Sequence, residues 1–373
     1  MRVGHLLPLL FSLTALGCAS KAEPEPVWVG QLVPLNGPNR AIGQHARQGA
    51  EQAVADAGEP SVAGRPCAVL HVDDRADAAT VQAETVRLLT VNQAAALIAD
   101  FDTALAEKVL RESRSYGVPV VVPGELPSPP DGRGVLPLGV PPAVRGRLLA
   151  RYASGELGLS RVAVLTDTRR PVVGALSAAF LKTWPRDQGG SIEEWTFTNT
   201  AERDERTAHL IQAAPAVIVL ACSVADFRTL RPKLAKALPK TPLLYGGEDA
   251  GTGPLRAELE KQPDVYLATV FSADHLTESG RAFARRYEER FHEPPDLYAS
   301  QSYDATRLLF EAMQRAGKAD RDALMKEVSA LEQFDSVTGP IRWKDRRPSR
   351  RVFLIALKDN QAKVMQTIEP EEN

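Results

Sequence analysis

Catalytic signatures are missing from this chain. It contains no G-x-x-x-x-G-K-[ST], H-E-x-x-H, G-x-S-x-G or C-x-x-C, and the histidines at 5, 45, 71, 209, 275 and 292 never meet at metal-ligand spacing. Cysteine is nearly absent, with 3 in 373 residues, so a disulfide framework is excluded. Cys67 and Cys222 lie in separate apolar runs and read as two independent buried thiols. Neither sign of charge dominates: 45 Lys and Arg oppose 47 Asp and Glu. Without a basic excess there is no footprint for nucleic acid. Beyond the first residues, no apolar run is long enough to cross a bilayer. The acid pair Glu193-Glu194 reads as solvated surface, and Asp73-Asp74 as loop and capping residues before a helix. No enzyme, cofactor or metal site is expected.

What is present begins with a targeting segment. Arg2 precedes an apolar run from Leu6 to Leu16, too short to span a membrane and shaped like a secretory signal. It ends in Leu13-Thr-Ala-Leu-Gly-Cys18, which resembles the lipobox of bacterial lipoproteins. The resemblance implies a signal peptide over 1–17 and lipidation of Cys18; an ordinary cleaved signal with a chance cysteine is the alternative. Residues 18–26, rich in Pro and Glu, suit a tether. Losing Arg2 with the signal takes the formal charge from −2 to −3.

From Val27 onward the chain alternates between strand and helix patterns. Strands are expected at Val27–Val33, Ala68–Val72, Ala95–Ile98, Pro119–Val122, Val162–Thr166, Ile192–Phe197, Val217–Ala221, Leu243–Tyr245 and Val265–Phe271. Helical spacing falls between them, as at Thr80–Val91, Ala104–Tyr116, Pro142–Leu157, Val173–Trp184 and Asp226–Ala237. Apolar strands separated by amphipathic helices mean parallel sheets with both faces covered. The length exceeds what one core serves, so the chain reads as an α/β protein with two doubly wound parallel-sheet lobes. The alternation then stops. Glu278–Phe291, Tyr298–Gly317 and Arg321–Leu331 are successive helices, followed by strands at Ile341–Trp343 and Val352–Leu357 around a charged turn.

Three segments carry a family likeness. Val29-Gly-Gln-Leu-Val-Pro-Leu-Asn-Gly-Pro-Asn39 with Gly49-Ala-Glu-Gln-Ala-Val54, then Tyr298-Ala-Ser-Gln-Ser-Tyr-Asp-Ala305, and Phe334-Asp-Ser-Val-Thr-Gly-Pro-Ile341 resemble the periplasmic solute-binding proteins for branched-chain amino acids. Those are the extracytoplasmic receptors of ABC importers. The resemblance implies a type I periplasmic-binding-protein-like fold with a hinge of three crossovers, near Gly139–Pro142, Ser272–Asp274 and Phe334–Thr338. It also implies a first lobe of 27–140 plus 273–335, a second of 141–272 plus 336–360, and a tail over 361–373. A final strand pair would close on the second lobe.

The same likeness points to a ligand site, and the chain departs from the family there. Glu248, in Gly246-Gly-Glu-Asp249, stands where the family meets a ligand's ammonium group. Thr103, in Ala99-Asp-Phe-Asp-Thr103, stands where a serine helps to hold the carboxylate, but Asp100 and Asp102 come just before it. In Pro123-Gly-Glu-Leu-Pro127 the expected hydroxyl is lost at Leu126 and Glu125 enters. Pro171 replaces a covering tyrosine, Ser223 an aromatic residue, and Ile42 a tryptophan; Asn36 lies in the first loop. Asp102, Glu125 and Glu248 suit a cationic or amide-bearing solute better than a plain zwitterion, with Arg40, Arg169 and Arg170 as offsets if they point inward.

The expectation is therefore a monomeric substrate-binding lipoprotein of an ABC importer, lipid-anchored in a bacterial envelope or periplasm. Its partners would be a small-molecule solute and a permease, with no nucleic acid. The alternative is a tethered sensor or envelope scaffold that kept the fold without transport.

Overall fold

The computed structural model describes residues 24–186, 190–255, 264–358 and 361–370. The expected signal peptide, Cys18 and most of the expected tether lie outside them. In chain order the elements begin with β1 (Val27–Val33), α1 (Arg40–Asp56), β2 (Ser61–Val62), β3 (Arg65–Asp73), α2 (Ala78–Thr90), β4 (Ala96–Ile98), α3 (Thr103–Ser115), β5 (Val120–Val122) and β6 (Val135–Pro137). Next come α4 (Pro142–Arg151), β7 (Arg161–Asp167), α5 (Pro171–Thr183), β8 (Ser191–Phe197), α6 (Thr200–Ala213), β9 (Val217–Ala221), α7 (Val224–Ala237), β10 (Leu243–Tyr245) and β11 (Val265–Thr269). The chain closes with α8 (Glu278–Phe291), α9 (Leu297–Ala316), α10 (Arg321–Ser329), β12 (Gln333–Ser336), β13 (Gly339–Lys344), β14 (Arg347–Ser349), β15 (Val352–Lys358) and β16 (Gln361–Ile368).

Two sheets define two lobes. The first runs β2-β3-β1-β4-β5-β6, and the second β16-β15-β11-β10-β9-β7-β8. β1 is rich in valine and leucine because it pairs in parallel on both sides, with β3 and β4, and its inner residues are buried. In each lobe the strand order reverses beside the first strand, β1 in one and β7 in the other. Loops leaving the carboxyl ends of β1, β4, β7 and β9 therefore border the crevices where α/β sheets receive ligands.

The late helices return to the first lobe. Fifteen residues of α9 are buried, so it is a core helix rather than a surface one. It lies tight against α1: a Cβ added at Gly49 would stand 2.0 Å from the Ala299 carbonyl oxygen. The small residues Ala46, Ala50 and Ala53 on the buried face of α1 permit that approach.

Several expectations change here. The strands at Ile341–Trp343 and Val352–Leu357 do not pair with each other. β13 forms a separate three-stranded sheet, β12-β13-β14. Its Ile341 and Trp343 pack into the first-lobe core with Val27, Val29 and Ile98, and the Trp343 indole N–H donates to the Pro137 carbonyl at 2.8 Å. β15 instead joins the second sheet, antiparallel to β11, and β16 pairs beside it. The stretch set aside as a tail thus begins with an eight-residue strand. The expected strand to Phe271 ends at Thr269, and the helix expected to Leu157 passes at Tyr152 into a π-helical turn. Cys67 and Cys222 are both free and buried. No helix among the described residues is long and apolar enough to cross a membrane.

Where the segments cross between lobes, Arg350 ties them together. Fully enclosed, its guanidinium donates to the Leu138 carbonyl at 2.9 Å and to the hydroxyls of Ser336 and Thr338 at 3.0 and 2.5 Å. Burial pulls its pKa down to about 10, with Asp304 opposing.

Candidate functional site

The loops at the two switch points bring their charged side chains into one closed circuit. Asp102 is the N-cap of α3; its Oδ1 accepts from the backbone N–H groups of Ala104 and Leu105 at 2.9 and 3.4 Å. That is the standard work of an aspartate at the positive end of a helix. Its Oδ2 faces the other lobe and accepts from Arg170 Nη1 at 3.5 Å. Arg170, at the N-cap position of α5, donates through the same nitrogen to Glu248 Oε2 at 3.0 Å. Asp167 Oδ2 stands 3.9 Å from Arg170 Nε. All three members of the bridge keep about a quarter to a third of their side-chain surface in solvent.

A second bridge lies deeper. Arg145 Nη1 donates to both oxygens of Glu125 at 2.9 and 2.8 Å and to the Gly247 carbonyl at 3.0 Å, while Nε donates to the Ala268 carbonyl at 2.7 Å. The side chains are 0% and 3% exposed. Burial raises the Glu125 carboxyl to about 7, with Arg145 pulling it back. Thr103 completes the circuit, its hydroxyl donating to the Glu125 carbonyl at 3.1 Å. Crowding by surrounding protein likewise moves Glu248 up to about 7, against the pull of Arg170.

Two cross-lobe links thus run through arginines of the second lobe, Arg170 to Asp102 and Arg145 to Glu125. The residues singled out from sequence divide accordingly. Asp102, Thr103, Glu125 and Glu248 come together. Leu126 follows Glu125 into the first-lobe core, 7% exposed. Ile42 packs beside Val33, Tyr298 and Phe101, with Phe101 edge-on to Tyr298 at 4.9 Å. Asn36 instead binds Asp73 at 2.7 Å. Ser223 caps α7 through Asp226, and Pro171 simply starts α5 on the surface. Of the three offsetting arginines, Arg170 points into the circuit. Arg169 folds back on Asp167 at 2.8 Å.

Arg145 was missed in sequence, although a signal existed. It falls with Pro142, Gly146, Leu149 and Ala150 on the buried face of α4, so an arginine there requires a buried acceptor. The other missed group is a carboxyl pair. Asp74 and Asp100 are 0% and 4% exposed, and each has one carboxyl oxygen with no hydrogen-bond partner. Burial, with the neighbouring Asp74 charge adding to it, pushes Asp100 well above the usual carboxylate range, and burial raises Asp74 as well. The helix cap expected from Asp73-Asp74 is supplied by Asp77; Asp73 and Asp74 bind loop N–H groups of Leu35, Arg75 and Ala76.

A family model for periplasmic binding proteins matches residues 26–362. Among solved structures, the chain is similar to a leucine-binding protein, LivK, of Thermotoga maritima, with 19% identity and TM-score 0.80 over 92% of this chain and 99% of that one. It is also similar to LivJ of Streptococcus pneumoniae, a branched-chain amino acid transporter substrate-binding protein solved with isoleucine, at 16% identity and TM-score 0.79 over 93% and 100% of the two chains. A third is an ABC-transporter solute-binding protein of R. palustris solved with benzoate, at 20% identity and TM-score 0.74 over 92% and 97%. No curated protein matches the chain.

Proposed function

This chain belongs to the periplasmic binding protein family, and we propose that it is the substrate-binding lipoprotein of an ABC importer, closing its lobes over a small solute. In this reading Cys18 carries the lipid, the folded part stands outside the cytoplasm as a monomer, and a permease receives the solute. The hinge is formed by the crossovers near Gly139–Pro142 and Ser272–Asp274 and by a third at Arg350–Arg351, not at Phe334–Thr338, because β12–β14 stay packed on the first lobe and the chain enters the second sheet only with β15. A ligand that touches both lobes favours the closed state by its differential affinity for it.

The observation that supports this reading is the charged circuit drawn from both lobes at their switch points. Relatives of the same fold were solved with isoleucine and with benzoate, so the fold leaves the solute open and the side chains must choose. Around the cleft the four acids Asp102, Glu125, Asp167 and Glu248 face three arginines, Arg145, Arg169 and Arg170, an excess of one acid. This balance favours a solute with a cationic or amide end, which would compete with Arg170 for Glu248.

Native mass spectrometry of the gently purified domain beginning after Cys18, before and after partial unfolding, tests the reading. A small molecule released on unfolding supports a solute receptor and gives the solute's mass. A bare mass, with no thermal shift across amino acids, amides and polyamines, overturns it. The second reading, a tethered sensor or scaffold, would then stand on the same circuit, since its arginines already bridge the lobes without a ligand.

A further inference from the structure

An α-amino acid held between two lobes needs donors for its carboxylate on one side and a carboxylate for its ammonium on the other. This chain supplies both poles from its own side chains. Two N–H groups of the first turn of α3, those of Ala104 and Leu105, are taken by the Asp102 carboxylate, and the Glu248 carboxylate is taken by the Arg170 guanidinium. Asp102 and Arg170 then meet each other at 3.5 Å across the cleft. The order along this line is helix N–H, carboxylate, cation, carboxylate, the same order that a bound zwitterion would create.

We infer that Asp102 and Arg170 are specificity-determining residues that act as a built-in zwitterion, so that the cleft rejects α-amino acids and selects amine-, amidine- or amide-bearing solutes without a carboxylate. The inference rests on the solute-binding role proposed above. A ligand carboxylate would meet Asp102 instead of open helix donors, and like charges repel more strongly as water leaves the cleft. A solute with only a donor end can replace the guanidinium between Asp102 and Glu248 and keep both acids satisfied. Arg170 is able to yield, being 31% exposed and anchored by side chains alone.

Two variants test this by calorimetry and small-angle scattering. Arg170→Ala leaves Asp102 and Glu248 facing each other across the cleft. It should scatter as a more open particle than the wild type, and close saturably with ethylguanidinium but not with L-leucine. The pair Asp102→Ser and Arg170→Ala keeps a capping hydroxyl on α3 while removing both built-in charges. It should bind L-leucine at least tenfold more tightly than the wild type does. Wild-type protein that binds L-leucine as tightly as the double variant overturns the proposal. So does a folded Arg170→Ala protein as compact as the wild type and indifferent to ethylguanidinium. These results leave the receptor reading intact if the wild type still releases another solute on unfolding, which separates the two failures.

Discussion

Replacing Arg145 with methionine keeps most of its volume and removes its charge. Three acceptors lose their donor: Glu125 and the carbonyls of Gly247 and Ala268. Each orphaned buried carbonyl costs about 1 kcal/mol, so about 2 kcal/mol is lost at any pH. The carboxylate adds a pH-dependent part. Glu125 titrates near pH 7 with Arg145 beside it, and without the arginine it stays protonated well above that. Between pH 7 and the variant's higher pKa, the wild type ionises and the variant does not. The stability gap therefore widens by about 1.4 kcal/mol per pH unit. Urea unfolding at pH 6.0 and 8.5 should show a loss of about 2 kcal/mol at the lower pH and about 4 kcal/mol at the higher. Adding Glu125→Gln should remove the difference between the two pH values. A loss that is equal at both pH values, or that survives unchanged in the double variant, refutes the assignment of Arg145 and Glu125 as a buried coupled pair.

The remaining expectations concern the frame. Glu125, Glu248 and Asp304 are raised to about 7, so their contribution to stability is full below ordinary carboxylate pKa values and is lost as pH rises through 7. His45, raised by Asp296, acts in the same direction, whereas Asp56, lowered chiefly by Arg286 and Tyr303 against its burial, loses its contribution only under acid conditions. Melting temperature should therefore peak near pH 5 and fall toward pH 8; calorimetry showing a rise over that interval would contradict this. Gly49→Ala forces a methyl into the Ala299 carbonyl and should cost about 1–3 kcal/mol in urea unfolding. The domain after Cys18 should show almost no reaction with a thiol reagent when folded and two equivalents when denatured, because Cys67 and Cys222 are buried and unpaired.

Much of the fold was legible because parallel strands announce themselves. Val27–Val33, Val217–Ala221 and Leu243–Tyr245 are apolar, β-branched or leucine-rich, and bounded by turn residues, and the structure places strands at those limits. β6 escaped because three residues ending in proline carry no period. β16 does alternate, Ala362 and Val364 facing inward, but it lies beyond the family's expected last strand and was set aside. The partnership of β13 and β15 was misread because adjacency in sequence suggested a hairpin, whereas Trp343 finds its hydrogen bond and its packing in the first lobe. At the site, residue types could be placed on loops, but their partners could not. Glu125 reads as an intruding acid until Arg145 is found on an apolar helical face. Asp100 reads as an exposed repelling charge until it is found buried, with Asp74 of another loop raising its pKa further.

The return of the late chain to both lobes has a consequence for how the molecule is made. The first-lobe core holds Leu308, Leu309, Phe310, Ile341 and Trp343 beside Val27 and Val29, and the second sheet takes its two edge-side strands from residues 352–368. During synthesis neither lobe completes its core before nearly the whole chain has emerged. Contacts separated by some 300 residues must close before they reward the chain, and loop closure of that length makes folding slow. The two lobes therefore mature together, late in the polypeptide's own production, rather than one after the other.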